Sequence, residues 1–257
     1  TLVLSSVAVA QDKPLPNYQK TTGIAGNLLS VGSDTLAGMT TLWVEEFKSI
    51  YPNINAQVQA SGSSTAPPAL TEQTAQFGPM SRSMRMREIE AFERVHGYKP
   101  TALRVAIDAI GIFVHQDNPI KGLNFHQLDA MFSATFKTRV NEQPGSASVV
   151  QSVASTISGV GYSGVGYRVA GVRLVPIAKA GTDYVSPVRE NIISGKYPLS
   201  RYLYVYVNKH PDYPLSPIEA EFIRFMFSAQ GQALVAKDGY VPITADFAAE
   251  ELKKVGL

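Results

Sequence analysis

The stretch Val58–Leu70, reading VQASGSSTAPPAL, constrains the fold of this chain most. It begins as a strand, passes through one glycine and a run of small hydroxyl residues, and enters a helix. Ser64 or Thr65 is placed to cap that helix, and Pro67 and Pro68 suit its first turn, where no backbone donor is missed. Several backbone N–H groups and the hydroxyls then converge on one spot without a lysine or arginine among them. Such a spot suits a small anion held by the positive helix end and neutral donors. A plain Ser/Thr-capped helix accounts for the same residues without any ligand.

The pattern occurs a second time upstream. Gly26–Gly32 reads as a short buried strand ending in a glycine turn, and Ser33 or Asp34 is positioned to cap the helix that follows. Leu36, Met39, Leu42, Trp43, Phe47 and Ile50 recur at helical spacing, which places Trp43 on an apolar stripe in the core. Residues 53–59 alternate as a second strand. In an open α/β sheet both strand-to-helix turns project from the C-terminal strand edge, where ligands bind.

Further along, Ala75–Arg82 reads as a short strand and a third loop, followed by a helix over about 84–95. Leu103–Ile107 and Ile110–Val114 form a strand pair or one long strand broken around Asp108. An acid in that apolar setting needs a partner, and Arg82 and Arg104 are the candidates. A helix is expected over 125–133 and another from Gly145. Strands are expected over the glycine-dense 159–167, over 172–177 and over 202–207, where β-branched and aromatic residues are densest. Helices at 218–227, 231–235 and the C-terminus complete an alternation that indicates an α/β fold.

A chain of 257 residues, 45% hydrophobic and 17% charged, holds a sizeable core. A net charge of +2 with no basic stripe predicts no nucleic-acid partner. With no cysteine there are no disulfides, thiolate nucleophiles or thiolate metal ligands. Residues 1–10 resemble the end of a secretory leader with an Ala-x-Ala site, so export is expected; a buried first strand is the other reading. No other apolar run approaches the ~20 residues that span a bilayer.

Catalytic patterns are wanting. His96, His115, His126 and His210 are scattered and form no metal-binding pair, and Gly161–Val165 misses the final glycine of a nucleophile elbow. Ser194–Tyr197 lacks the framework of a phosphate loop. The chain is therefore expected to be a binder rather than an enzyme, with no cofactor and no metal.

Taken jointly, the segments Gly32–Leu36, Ser61–Leu70, Phe77–Arg82, Val105–Ala109, Gly159–Gly164, Tyr197–Arg201 and Asp238–Pro242 resemble the PstS-type periplasmic phosphate-binding proteins. The resemblance covers nearly the whole chain after residue 10. It implies a two-lobed α/β fold of the type II periplasmic-binding-protein class. Lobe 1 would be formed by 20–113 plus 203–257 and lobe 2 by 114–202. It also implies a periplasmic or secreted monomer that binds inorganic phosphate and delivers it to the membrane permease of an ABC importer. A phosphatase-like or surface-interaction protein on the same scaffold, or a binder of another oxyanion, is the alternative.

Carried over residue by residue, Thr35 and the backbone at Leu36 match the family's first phosphate-contacting turn, and Ser63, with Ser64 beside it, the second. Ser81 stands where many members have an aspartate that accepts the proton of hydrogen phosphate; Arg82 follows it. A carboxylate there repels fully ionised sulfate and a serine does not. Between Ala134 and Asn141 the resemblance implies several tens of additional residues, among them an arginine and the helix-start donors of the second wall. Three origins fit their absence: a piece missing from this sequence, a deletion, or a natural loss. The first is preferred because both flanks follow the family pattern and the join does not. Arg139 is not expected to stand in for the missing arginine.

Overall fold

The computed structural model describes residues 13–132, 143 and 145–257. The expected leader remnant at 1–10, the join near 135–136 and Arg139 lie outside the described residues. The first unit of the fold runs β1 (Gly26–Gly32), α1 (Ala37–Ile50), β2 (Ile54–Ala60), α2 (Ala66–Thr71), β3 (Phe77–Met80) and α3 (Met86–His96). Then follow β4 (Thr101–His115), β5 (Leu123–Asn124), α4 (Phe125–Phe132), α5 (Ser146–Ala154), β6 (Val160–Gly164), β7 (Val172–Leu174), β8 (Ile177–Ala178) and α6 (Arg189–Ile193). The chain returns through β9 (Ser200–Val207) to α7 (Pro217–Met226), α8 (Ala229–Lys237) and α9 (Ala245–Lys253).

The strands run β2-β1-β3-β9-β4-β6, with β7 also paired to β4. β1 is parallel to β2 and β3, as two successive strand–helix units require, whereas β9 returns antiparallel to both β3 and β4. β4 pairs with two sets of strands. Thr101–Ala109 pairs with β9, and from Ile110 onward the same strand pairs with β6 and β7. The expected break at Asp108 is therefore absent. One continuous strand changes partners between Ala109 and Ile110, and its register shift lies earlier, between Arg104 and Ala106. The strands expected over 159–167 and 172–177 are shorter: the first ends in a 3₁₀ turn at Val165–Tyr167, and the second divides into β7 and β8.

The apolar interior divides accordingly. One cluster packs Leu28, Trp43, Phe47, Leu103, Val205 and Phe222 between the sheet and α1, α7 and α8. A separate cluster gathers Ile112, Val114, Leu123, Val175 and Ile177. Trp43 is fully buried on the expected stripe, and its indole N–H donates to Gly231 O at 2.8 Å. Among the described residues, no helix is long and apolar enough to cross a membrane.

Candidate functional site

Three loops meet where β1, β2 and β3 end. Ser33 N donates to Pro79 O at 2.8 Å, and Gly62 N donates to Gly32 O at 2.9 Å. Ser81 N donates to Ser63 Oγ at 3.1 Å, with the two hydroxyls 3.3 Å apart. The approach is close: a Cβ on Gly32 would stand 2.1 Å from Pro79 O, so only glycine lets β1 end there. Gly62 adopts φ 102°, a backbone conformation that side chains resist.

The caps differ from expectation. Neither Ser64 nor Thr65 caps α2 by its side chain; the Thr65 hydroxyl instead donates back to Gly62 O at 2.8 Å. Helix α1 begins at Ala37 with no side-chain cap, while Ser33 Oγ accepts from Thr35 N at 3.2 Å in the turn ahead of it. Among the described residues, the backbone N–H groups of Leu36, Ser63 and Ser64 have no hydrogen-bond acceptor. The first N–H groups of a helix have no partner within it, so these donors are available to water or a ligand. Here they stand on two adjacent turns beside the Ser63 and Ser81 hydroxyls. Neutral donors arranged in this way suit a small oxyanion, and the described residues of these turns offer no nucleophile–base pair.

The structure thus brings the Thr35–Leu36 turn, Ser63, Ser64 and Ser81 into one group. Leu36 is fully buried as a whole residue, so its unpaired N–H is the one group it could offer an anion. Arg82 turns elsewhere. Its two terminal nitrogens donate to the Glu88 carboxylate at 2.8 and 2.9 Å, and Glu88 also accepts from Arg85 N. The bond to Arg82 holds the Glu88 carboxyl below its usual range, and the bond to Glu88 raises Arg82. Arg104 is likewise engaged, with the buried Glu251. The partner of Asp108 is neither of the expected arginines but Arg201, whose Nε and terminal nitrogen lie 3.0 Å from Asp108 Oδ2. The reason is register: Asp108 and Arg201 are directly paired across β4 and β9. A cavity of about 290 Å3 beside that pair is lined by Ile110 and Pro198–Ser200, and none of the predicted anion-binding residues lines it.

Sequence reasoning missed the contribution of the C-terminal segment to this site. The Tyr240 hydroxyl donates to Thr35 O at 2.6 Å. Burial first, then the nearby Asp108 and Asp238 carboxylates, pushes Tyr240 up to about 12, so it stays a donor at neutral pH. Asp238 lies against the start of α1: a Cβ on Gly38 would come within 2.5 Å of its Oδ1. Burial raises its carboxyl above the ordinary value, and the facing Met39 N–H partly offsets this. The Asp238–Pro242 motif was visible, but no local pattern says that it folds back onto residue 35. Among the described residues, no cluster of acids and histidines could hold a metal.

Comparison with known proteins shows the family. A family model described as a PBP superfamily domain matches residues 17–152 and 133–230. The Phosphate-binding protein PstS of Pseudomonas aeruginosa is 48% identical over 304 residues, covering 98% of this chain and 94% of that protein. This chain belongs to the PstS family. Protein SphX of Synechococcus elongatus is a more distant relative, 22% identical over 83% of this chain and 77% of its own length. The fold is shared with a possible phosphate binding protein from Planctomyces limnophilus, at a TM-score of 0.78, 21% identity and coverage of 91% of this chain and 98% of that one. An ABC-type phosphate transport receptor from Vibrio cholerae superposes at a TM-score of 0.64, with 19% identity and coverage of 84% and 99%. The PstS alignment also measures a difference. Its 304 positions against the 257 residues here leave at least 47 positions of the relative without a counterpart.

Proposed function

We propose that this chain is a periplasmic solute-binding protein that captures inorganic phosphate between its two lobes and presents it to the permease of an ABC importer. The observation that carries the reading is the group of unpartnered N–H donors at Leu36, Ser63 and Ser64, flanked by the Ser63 and Ser81 hydroxyls. Neutral donors at strand and helix ends hold an oxyanion without neutralising it, which permits release. The name of the Pseudomonas relative supports phosphate as that oxyanion. In this reading 20–113 and 203–257 form one lobe and 114–202 the other, and closure presents the loaded monomer to its partner. No catalysis is involved.

Arg82 contributes only through its charge, since its fork is committed to Glu88. Ser81 supplies a hydroxyl where a carboxylate would reject fully ionised sulfate, which leaves open how this chain tells the two anions apart. The unmatched positions of the relative fall between Ala134 and Asn141, a placement supported by the family model matching in two pieces that meet over 133–152. The described turns then form one wall of the cleft. Calorimetry with phosphate, sulfate and molybdate tests the reading. Heat with phosphate is expected, and its absence at millimolar ligand would sink it.

A further inference from the structure

We infer that Tyr240 is a positioning residue that aims the Leu36 N–H into the anion site, holding the Thr35–Leu36 peptide from the far end of the chain. The inference rests on the phosphate reading for its ligand but not for its geometry. Tyr240 Oη donates to Thr35 O at 2.6 Å across a sequence separation of 205 residues. The intervening peptide is trans, so its carbonyl oxygen and the following N–H point in opposite directions. A hydroxyl fixing Thr35 O on one side therefore turns the Leu36 N–H to the other. That N–H has no acceptor among the described residues. The Leu36 side chain, fully buried, prevents the peptide from rolling as a unit.

Tyr240 is itself held on both sides. Val241 forms an antiparallel bridge with Ile107 on β4, with N–H donors at 2.9 and 3.0 Å in the two directions. Gly239, at φ 88°, packs against the turn after β6: a Cβ on Gly166 would lie 2.7 Å from Gly239 O, and one on Gly239 would lie 3.0 Å from the Tyr167 ring. Arg189 of α6 donates to Pro242 O at 3.2 Å. The segment 238–242 thus touches the first anion-binding turn, the crossing strand and the second lobe together. Donors preorganised in this way bind a ligand without losing freedom at the moment of capture.

The test is Tyr240→Phe, which keeps the ring and removes the donor, compared with Tyr197→Phe, which removes a buried hydroxyl donating to Ile110 O away from the turn. Two measurements are made on the intact chain. The backbone 15N resonance of Leu36, recorded without ligand, reports the hydrogen bond at the preceding carbonyl; it is expected to move upfield in Tyr240→Phe and to stay in place in Tyr197→Phe. Calorimetric phosphate affinity is expected to fall about three- to tenfold in Tyr240→Phe only. An unmoved Leu36 resonance overturns the inference, as does a resonance that shifts equally in both variants. If the parent chain binds no phosphate, the phosphate reading fails, and the resonance alone decides the role of Tyr240.

Discussion

Ser63 is the residue on which two of the three loops depend. Its Oγ accepts from Ser81 N while lying 3.3 Å from the Ser81 hydroxyl, so one side chain both presents a donor and fixes its neighbour. Ser63→Ala should weaken phosphate binding about tenfold in a calorimetric titration, because the oxyanion loses one contact and Ser81 loses its anchor. Arg82→Ala should change affinity less than threefold and lower the melting temperature instead, since its fork holds Glu88. Two carboxyls here respond to pH with opposite signs. Glu88 is held low by Arg82, so its contribution is present above the ordinary carboxylate pKa of about 4.3 and is lost as pH falls through the lowered folded value. Asp238 is raised by burial, so its contribution is full below its ordinary value of about 3.9 and declines as pH rises through the folded one. Asp238→Asn should therefore raise the melting temperature at neutral pH, and the difference should close on acidification. The gain is small because the carboxylate is only partly withdrawn from water.

At the scale of elements, the loops are positioned by how closely the strands end. β1 can stop beside β3 only because Gly32 has no Cβ, and its carbonyl then receives Gly62 N from the end of β2. Gly32→Ala should cost roughly 2 kcal/mol or more in chemical denaturation, as the new methyl group cannot share space with the Pro79 carbonyl. Helix α1 shows the complementary case. It has no cap from its own preceding residues, and its start is met by the Asp238 carboxylate from the C-terminal segment. Periodicity located α1 from Leu36, Met39, Trp43 and Phe47, because burial of one helical face is a local pattern. It could not say which distant group would face the helix start. The same limit explains Asp108: a need for a cation was readable from its apolar neighbours, but the choice of Arg201 over Arg82 and Arg104 follows from strand register.

For the whole molecule, a long β4 paired first to β9 and then to β6 and β7 joins the two ends of one sheet. A cleft between lobes needs donors on both sides, and the unmatched positions of the Pseudomonas relative number at least 304 minus 257, or 47. Inserting that protein's extra segment between Ala134 and Asn141 should tighten phosphate binding by more than tenfold over the parent chain, read by calorimetry. Equal affinity in both would place the second wall elsewhere.

By itself, the sequence determined the alternation of strands and helices, the glycine and hydroxyl turns at residues 32–36 and 61–65, and the absence of a thiol or histidine cluster. Each of these is written within a few neighbouring residues, through side-chain period or turn conformation. Only the tertiary structure decided which donors remain open at those turns, that Arg82 faces Glu88, and that Tyr240 reaches Thr35 across 205 residues. Such pairings depend on which strand ends come together. Sheet order sets that, and no local pattern encodes it.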